Sequence, residues 1–269
     1  MYRAGIDLGG TNIKAGIVDE NQKIAMQTSA PTGAERSAEE VIADMAGLVK
    51  QLMEELKIDE SALAGIGVGC PGLVDAEAGI VRYSNNISWE NVALVQELGK
   101  YFSCGIRISN DANCAALGEV KAGAAKDVSN AILLTLGTGV GGGIILNGKV
   151  FEGSNAGGAE LGHISMIMGG EPCTCGRRGC VEAYASATAL IRDAKRAAAA
   201  DRNSLMNQMC GGKIENMKGK IPFDAALEGD EAAKEVVENY YTYLAEAIAN
   251  YVNIFRPDFF IVFVPFLPY

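Results

Sequence analysis

A chain of 269 residues, 49% hydrophobic and 21% charged, has the size and balance of one large or two modest globular domains. Its net charge of −10 argues against nucleic acid or an anionic membrane as a main partner, because both are bound by neutralising phosphate with Lys and Arg. Cysteines scattered singly in apolar surroundings (Cys70, Cys104, Cys114) form no disulfide framework and suit a reducing cytoplasm. A strand is expected almost from the first residue, with no leader before it, and the longest apolar run, Phe259 to Leu267, is half a membrane span and is broken by Pro265. A cytoplasmic protein is expected.

In chain order, residues 3–8 read as a short strand that carries Asp7 near its end, and Ile13 to Val18 read as a second. Between them Gly9-Gly10-Thr11-Asn12 makes a hairpin whose unencumbered N–H groups can approach phosphate oxygens, with Asp7 in reach of an accompanying Mg²⁺. An ordinary hairpin turn explains the same residues. Ser37 with Glu40 three residues on is a capping box, opening an amphipathic helix to Leu56 with Val41, Met45, Leu48, Val49 and Leu52 on one stripe. Leu63 to Gly69 is a buried strand running into the turn Cys70-Pro71-Gly72, and Val74 to Tyr83 is a further hairpin. The only tryptophan, Trp89, reads as packing.

Ile106 to Ser109 is a strand that delivers Asn110-Asp111-Ala112-Asn113 into a helix reaching about Ala124. A carboxylate at such a junction serves as a helix cap or as a catalytic base, and the motif by itself fits both. Ala131 to Leu136 is a strongly apolar strand, followed by the glycine loop Gly137 to Gly143 and a strand from Ile144 to Leu146. Strand, glycine loop, strand thus occurs twice, which points to duplicated lobes each offering a loop to one polyphosphate. A helix is expected from Glu182 to about Ala200, another from Asp230 to Phe255 with Val237, Tyr241, Leu244, Ala245 and Ile248 as its apolar stripe, and a strand from Phe259.

The only histidine and three cysteines fall within Glu160 to Cys180. His163, Cys173, Cys175 and Cys180 offer one imidazole and three thiolates, the ligand set of a closed tetrahedral zinc site, with Gly176 and Gly179 available for the tight turns of a knuckle. Such a site is structural and holds a loop in place.

With Asp7-Leu8-Gly9-Gly10-Thr11, Asn110-Asp111-Ala112-Asn113, Leu136-Gly137-Thr138-Gly139-Val140-Gly141, Glu160-Leu161-Gly162-His163 and the cysteine knuckle in this order, the chain resembles the ROK family of bacterial sugar kinases and repressors over about residues 3–258. The resemblance implies an α/β, two-lobed actin-like ATPase (ribonuclease H-like) fold with a structural zinc loop. We expect a smaller N-terminal lobe at 1–115 and a larger one at 116–269. It further implies transfer of the ATP γ-phosphoryl group to the 6-hydroxyl of a hexose, glucose above mannose, fructose or an N-acetylhexosamine. Asp111 is then the base, with Asn110, Asp111, Glu160, His163 and Glu182 on the sugar. Asp7, Gly9, Gly10, Thr11, Asn12, Gly137, Thr138, Gly139 and Gly141 hold ATP and its Mg²⁺, and His163, Cys173, Cys175 and Cys180 hold Zn²⁺. A homo-oligomer, dimer or tetramer, is implied as well.

One departure stands out. Family members continue past the last strand with a glycine-rich turn and a helix that complete the adenosine pocket, whereas here the strand meets Pro265-Phe266-Leu267-Pro268-Tyr269. A sugar-binding protein with impaired catalysis is therefore the principal rival. A repressor fits poorly, because only six residues precede Asp7 and the charge opposes DNA.

Overall fold

The computed structural model describes residues 1–264. It divides into two compact units, Met1–Asp127 with Lys149–Ala159, and Val128–Gly148 with the chain from Glu160 on. The expected boundary at 115/116 would cut a helix, Asp111–Ala122, whose twelve residues form one hydrogen-bonded element; the chain passes to the second unit only after it ends.

The first unit is built on a five-stranded sheet. Alternation of apolar and polar residues makes β1 (Tyr2–Leu8) and β2 (Asn12–Val18), with Ala4, Ile6, Leu8, Ile13, Ala15 and Ile17 buried and their neighbours facing out. β2 pairs antiparallel with β1 and with β3 (Ile24–Pro31), a strand of mixed composition not foreseen from the sequence. β4 (Leu63–Cys70) lies parallel to β1 on its other side. A small antiparallel sheet follows, β5 (Leu73–Asp75), β6 (Ile80–Ser84) and the unforeseen β7 (Trp89–Val92). β8 (Ile106–Asn110) then closes the large sheet in the order β3-β2-β1-β4-β8.

Helix α1 (Ala38–Glu55) begins at the capping box as read, Ser37 accepting from the Glu40 N–H and Glu40 accepting from the Ser37 N–H. Val41, Met45, Leu48, Val49 and Leu52 bury into the same core as β1, β2 and β4. The short α2 (Leu94–Leu98) adds Leu94 and Leu98 to it, and α3 (Asp111–Ala122) leaves from the carboxyl end of β8.

The second unit repeats the central pattern. β9 (Ala131–Leu136) is antiparallel to β10 (Val140–Leu146), and β12 (Phe259–Phe263) lies parallel to β9 on its far side, as β4 lies beside β1; a two-residue strand β11 (Lys149–Val150) follows β10. Duplication is therefore visible as topology. Gly141 to Gly143, expected in the loop, are ladder residues of β10 opposite Thr135 to Leu133, so the true loop is Gly137-Thr138-Gly139.

The helix expected from Glu182 breaks at Ser186 into α4 (Glu182–Ala185) and α5 (Ala187–Ala200), because the buried Ser186 turns extended and caps α5 through the Ala189 N–H. α6 (Leu205–Met209), α7 (Ile221–Leu227) and α8 (Glu231–Phe255) pack with α5 around a second core. The buried stripe of α8 is Ala233, Val236, Val237, Tyr240, Ala247 and Tyr251; of the residues expected on it, Val237 is buried and Leu244 packs on the core, while Tyr241 and Ala245 turn outward. Tyr241 is exposed, while Tyr243 meets the Tyr184 ring at 4.8 Å in a tilted arrangement. Phe259 and Phe263 of β12 are 40% and 50% exposed. The segment from Pro265 on, where the departure from the family pattern was placed, lies outside the described residues. Among those described, no helix is long and apolar enough to cross a membrane.

Replacing Ser37 with Ala removes the side-chain acceptor of the capping box and should cost about 1 kcal/mol of unfolding free energy, read from the denaturation midpoint.

Candidate active site

In the first unit the chemistry collects at the carboxyl ends of β1, β4 and β8. Asp7 is exposed on β1, opposite Lys14 in the ladder, and the Lys14 ammonium lies 3.4 Å from its carboxylate. The hairpin Gly9-Gly10-Thr11 follows, with the Gly9 N–H donating to the Asn12 carbonyl at 3.0 Å.

At the junction of β8 and α3 both polar side chains of the motif sit at the helix start. Asn110 is the cap: its Oδ1 accepts from the Ala112 N–H at 2.9 Å and its Nδ2 donates to the Gly72 carbonyl at 3.1 Å. Asp111 is the first helical residue; its Oδ1 shares the Ala112 N–H with Asn110, at 2.8 Å, and its carboxylate also accepts from the Asn110 side chain. Its carboxyl group is accessible, yet loss of surrounding water pushes its pKa above the ordinary range. The Ala112 N–H works against that shift and the Asp7 charge adds to it. A carboxylate whose charge is disfavoured and whose second oxygen is not taken by the helix amides is equipped to accept a proton.

In the second unit one acidic side chain ties the glycine loop to the cysteine knuckle. Glu182, at the start of α4, accepts from the Val140 N–H at 3.1 Å with Oε2 and from the Thr174 hydroxyl at 2.6 Å with Oε1. A side chain at Gly139 would collide with that carboxylate. Glu160 and His163 flank a single 3₁₀ turn, Leu161–His163, closed by the His163 N–H to the Glu160 carbonyl at 3.0 Å. A Cβ at Gly162 would strike the Val140 carbonyl, so the turn packs directly on β10. From α8 the buried Tyr251 hydroxyl donates to the Leu161 carbonyl at 2.7 Å and fixes the turn from behind.

The knuckle forms as read. His163, Cys173, Cys175 and Cys180 bring their ligand atoms within 4.8 Å of one another; Cys173 Sγ lies 3.5 Å from His163 Nδ1 and Cys175 Sγ lies 3.7 Å from Cys180 Sγ. Its backbone is a small hairpin, Cys173 N–H to the Arg177 carbonyl at 2.9 Å and Gly176 N–H to the Cys173 carbonyl at 3.0 Å.

Two α/β units, each with a three-residue hairpin suited to phosphate, and one with a carboxylate at a strand's end, define the actin-like ATPase class. The chain belongs to the ROK family, which it matches over residues 3–263. It is 38% identical over 259 residues to a glucokinase of Thermotoga maritima, covering 96% of this chain and 80% of that one. Among solved structures it is similar to a ROK family glucokinase from Streptomyces griseus in complex with glucose and AMPPNP, with TM-score 0.80, 33% identity, and coverage of 98% and 83% of the two chains. A ROK hexokinase from Thermus thermophilus gives TM-score 0.82 at 31% identity over 98% and 82%.

The raised Asp111 pKa carries a stability consequence. Folding favours the protonated form, so the ionised group costs stability above the unfolded value of about 3.9. Asp111→Asn, which keeps an oxygen for the Ala112 N–H, should melt above the parent protein at pH 7. The gap should close near about pH 3, where both states of the parent are protonated. Melting curves at the two pH values check it.

Proposed function

We propose that this chain is an ATP-dependent hexose kinase that transfers the γ-phosphoryl group to the 6-hydroxyl of glucose. The observation that carries the reading is the β8–α3 junction, where Asn110 is anchored as the helix cap and Asp111 beside it, accessible and with its pKa raised, is placed to take the hydroxyl proton. Its similarity to glucokinases supports glucose over the other hexoses.

In this reading the proton of the 6-hydroxyl passes to Asp111 as the sugar oxygen attacks the γ-phosphorus and the bond from that phosphorus to the β-phosphate oxygen breaks, releasing ADP. Asn110, Glu160, His163 and Glu182 hold the remaining hydroxyls. Glu182 keeps a lone pair for a sugar hydroxyl beside the Val140 N–H, the Thr174 hydroxyl and the Cys173 thiol that it already accepts, so its direction is fixed before the sugar arrives. The hairpins Gly9 to Asn12 and Gly137 to Gly139 cradle phosphates, Gly141 contributes from β10, and Asp7 stands near Mg²⁺. Phosphoryl transfer depends mostly on positioning and charge stabilisation, so this sparse set suffices.

The donor set at the knuckle fits zinc. A tetrahedron with Zn–S of about 2.3 Å and Zn–N of about 2.0 Å has edges of about 3.8 Å between sulfurs and about 3.5 Å between sulfur and nitrogen. The Cys175–Cys180 and Cys173–His163 separations, 3.7 and 3.5 Å, have that span. His163, Cys173, Cys175 and Cys180 would hold the ion, which would serve as a structural clamp. With Nδ1 on the metal side, the far edge of the His163 ring remains for sugar. The protein is read as a cytoplasmic homo-oligomer that binds no nucleic acid and no membrane.

The test is ADP release with Mg-ATP across glucose, mannose, fructose, N-acetylglucosamine and N-acetylmannosamine. Turnover fastest with glucose is expected, falling about 10²- to 10⁴-fold in Asp111→Asn while sugar binding survives. Turnover retained in that variant removes Asp111 from its role. Sugar binding without turnover by the parent protein would favour the rival sugar-binding reading. Separately, Cys175→Ser should lower the zinc content measured by mass spectrometry and weaken sugar binding; unchanged zinc and sugar affinity would overturn the clamp.

A further inference from the structure

The two glycine hairpins are each three residues long, and each is gripped from outside by a threonine. In the first unit Thr32, fully buried just past β3, donates its hydroxyl to the Gly9 carbonyl at 2.6 Å and its own N–H to the Thr11 carbonyl at 2.9 Å. Thr32 is in turn held by Arg36, which donates to the Thr32 carbonyl at 2.7 Å while paired with Asp44 at 2.6 Å. In the second unit Thr188, exposed in the first turn of α5, donates its hydroxyl to the Thr138 carbonyl at 2.7 Å. Beside it the Ala187 N–H donates to the Gly137 carbonyl at 2.9 Å. The two threonines come from unlike elements, a strand's end and a helix's start, yet make the same kind of contact.

That contact has a geometric result. In a trans peptide the C=O and the next N–H point in opposite directions, so gripping a carbonyl from one side turns the following N–H to the other. The N–H groups of Gly10, Thr138 and Gly139 are thereby aimed away from the gripping residues. Among the described residues none of the three has a protein acceptor. Neighbouring free N–H groups held in fixed directions are the means by which a backbone binds phosphate oxygen.

We propose that Thr32 and Thr188 are positioning residues for the nucleotide: their hydroxyls fix the peptide planes of the two hairpins and so set how tightly these hold phosphate. The inference rests on the ATP reading above. It predicts a dependence on the hydroxyl rather than on side-chain bulk, which separates it from a packing role.

The experiment measures binding of Mg-AMPPNP and of glucose by calorimetry to the full chain and to Thr188→Val, Thr188→Ser, Thr32→Val and Thr32→Ser. Each Val variant, isosteric but without the donor, should bind Mg-AMPPNP about five- to tenfold more weakly with glucose affinity unchanged, and each Ser variant should recover to within about twofold. Because Thr32 is buried, the exposed Thr188 pair decides the matter if Thr32→Val misfolds. Unchanged nucleotide affinity in Thr188→Val, an equal loss for glucose, or a Ser variant as weak as the Val one would each overturn the proposal while leaving the kinase reading intact. A parent protein that binds no Mg-AMPPNP would overturn the ATP reading and this inference with it.

Discussion

The carboxylate of Glu182 is the hinge on which the second unit's chemistry turns. One oxygen holds the first amide of β10 and the other holds the knuckle's Thr174, so the glycine loop and the cysteine cluster share a single reference point. That arrangement explains several residues at once. Gly139 has no side chain because the carboxylate occupies its space, and Gly162 has none because the Glu160–His163 turn must reach the Val140 carbonyl. A charge-assisted acceptor gives stronger bonds than a neutral one, and with both oxygens engaged the side chain has little freedom left to lose on binding. Preorganisation here comes from an acid that the fold itself has already satisfied.

In the first unit two neighbouring side chains meet at one helix start. Asn110 caps it and ties to the Gly72 carbonyl, while Asp111 shares the Ala112 N–H with it. Asp111 sits in surroundings that disfavour its charge. Under the kinase reading proposed above, that unfavourable group stands where a proton acceptor is of use.

Much of this was legible in the residues. The capping box at Ser37, the α1 stripe, the paired glycine hairpins and the His-Cys cluster are local patterns, and local patterns survive folding. What was hidden depended on partners distant in sequence. β3 mixes apolar and polar residues without clean alternation and exists because β2 offers it an edge, and β7 exists because β6 does. The Ser186 break looked like continuous helix because serine is tolerated mid-helix, and only its burial and its bond to the Ala189 N–H make it a cap. Tyr251 reaches Leu161 across 90 positions, a contact no spacing rule anticipates. The Gly141 to Gly143 run misled in the opposite sense, since a glycine-rich sequence was assigned to a loop when β9 was there to pair with it.

The parallel strand β12 has a consequence for the molecule in company rather than alone. Its five residues carry no charge, it borders only β9 among the described residues, and two of its phenylalanines are substantially exposed. The inner strand β9 is buried and belongs to the cohesion of one molecule, while β12 turns partly exposed aromatic side chains outward. Intramolecular stability and colloidal behaviour thus draw on adjacent strands of one sheet. Heating probes the first, whereas crowding probes the second, because collisions between such apolar faces rise with the square of protein concentration.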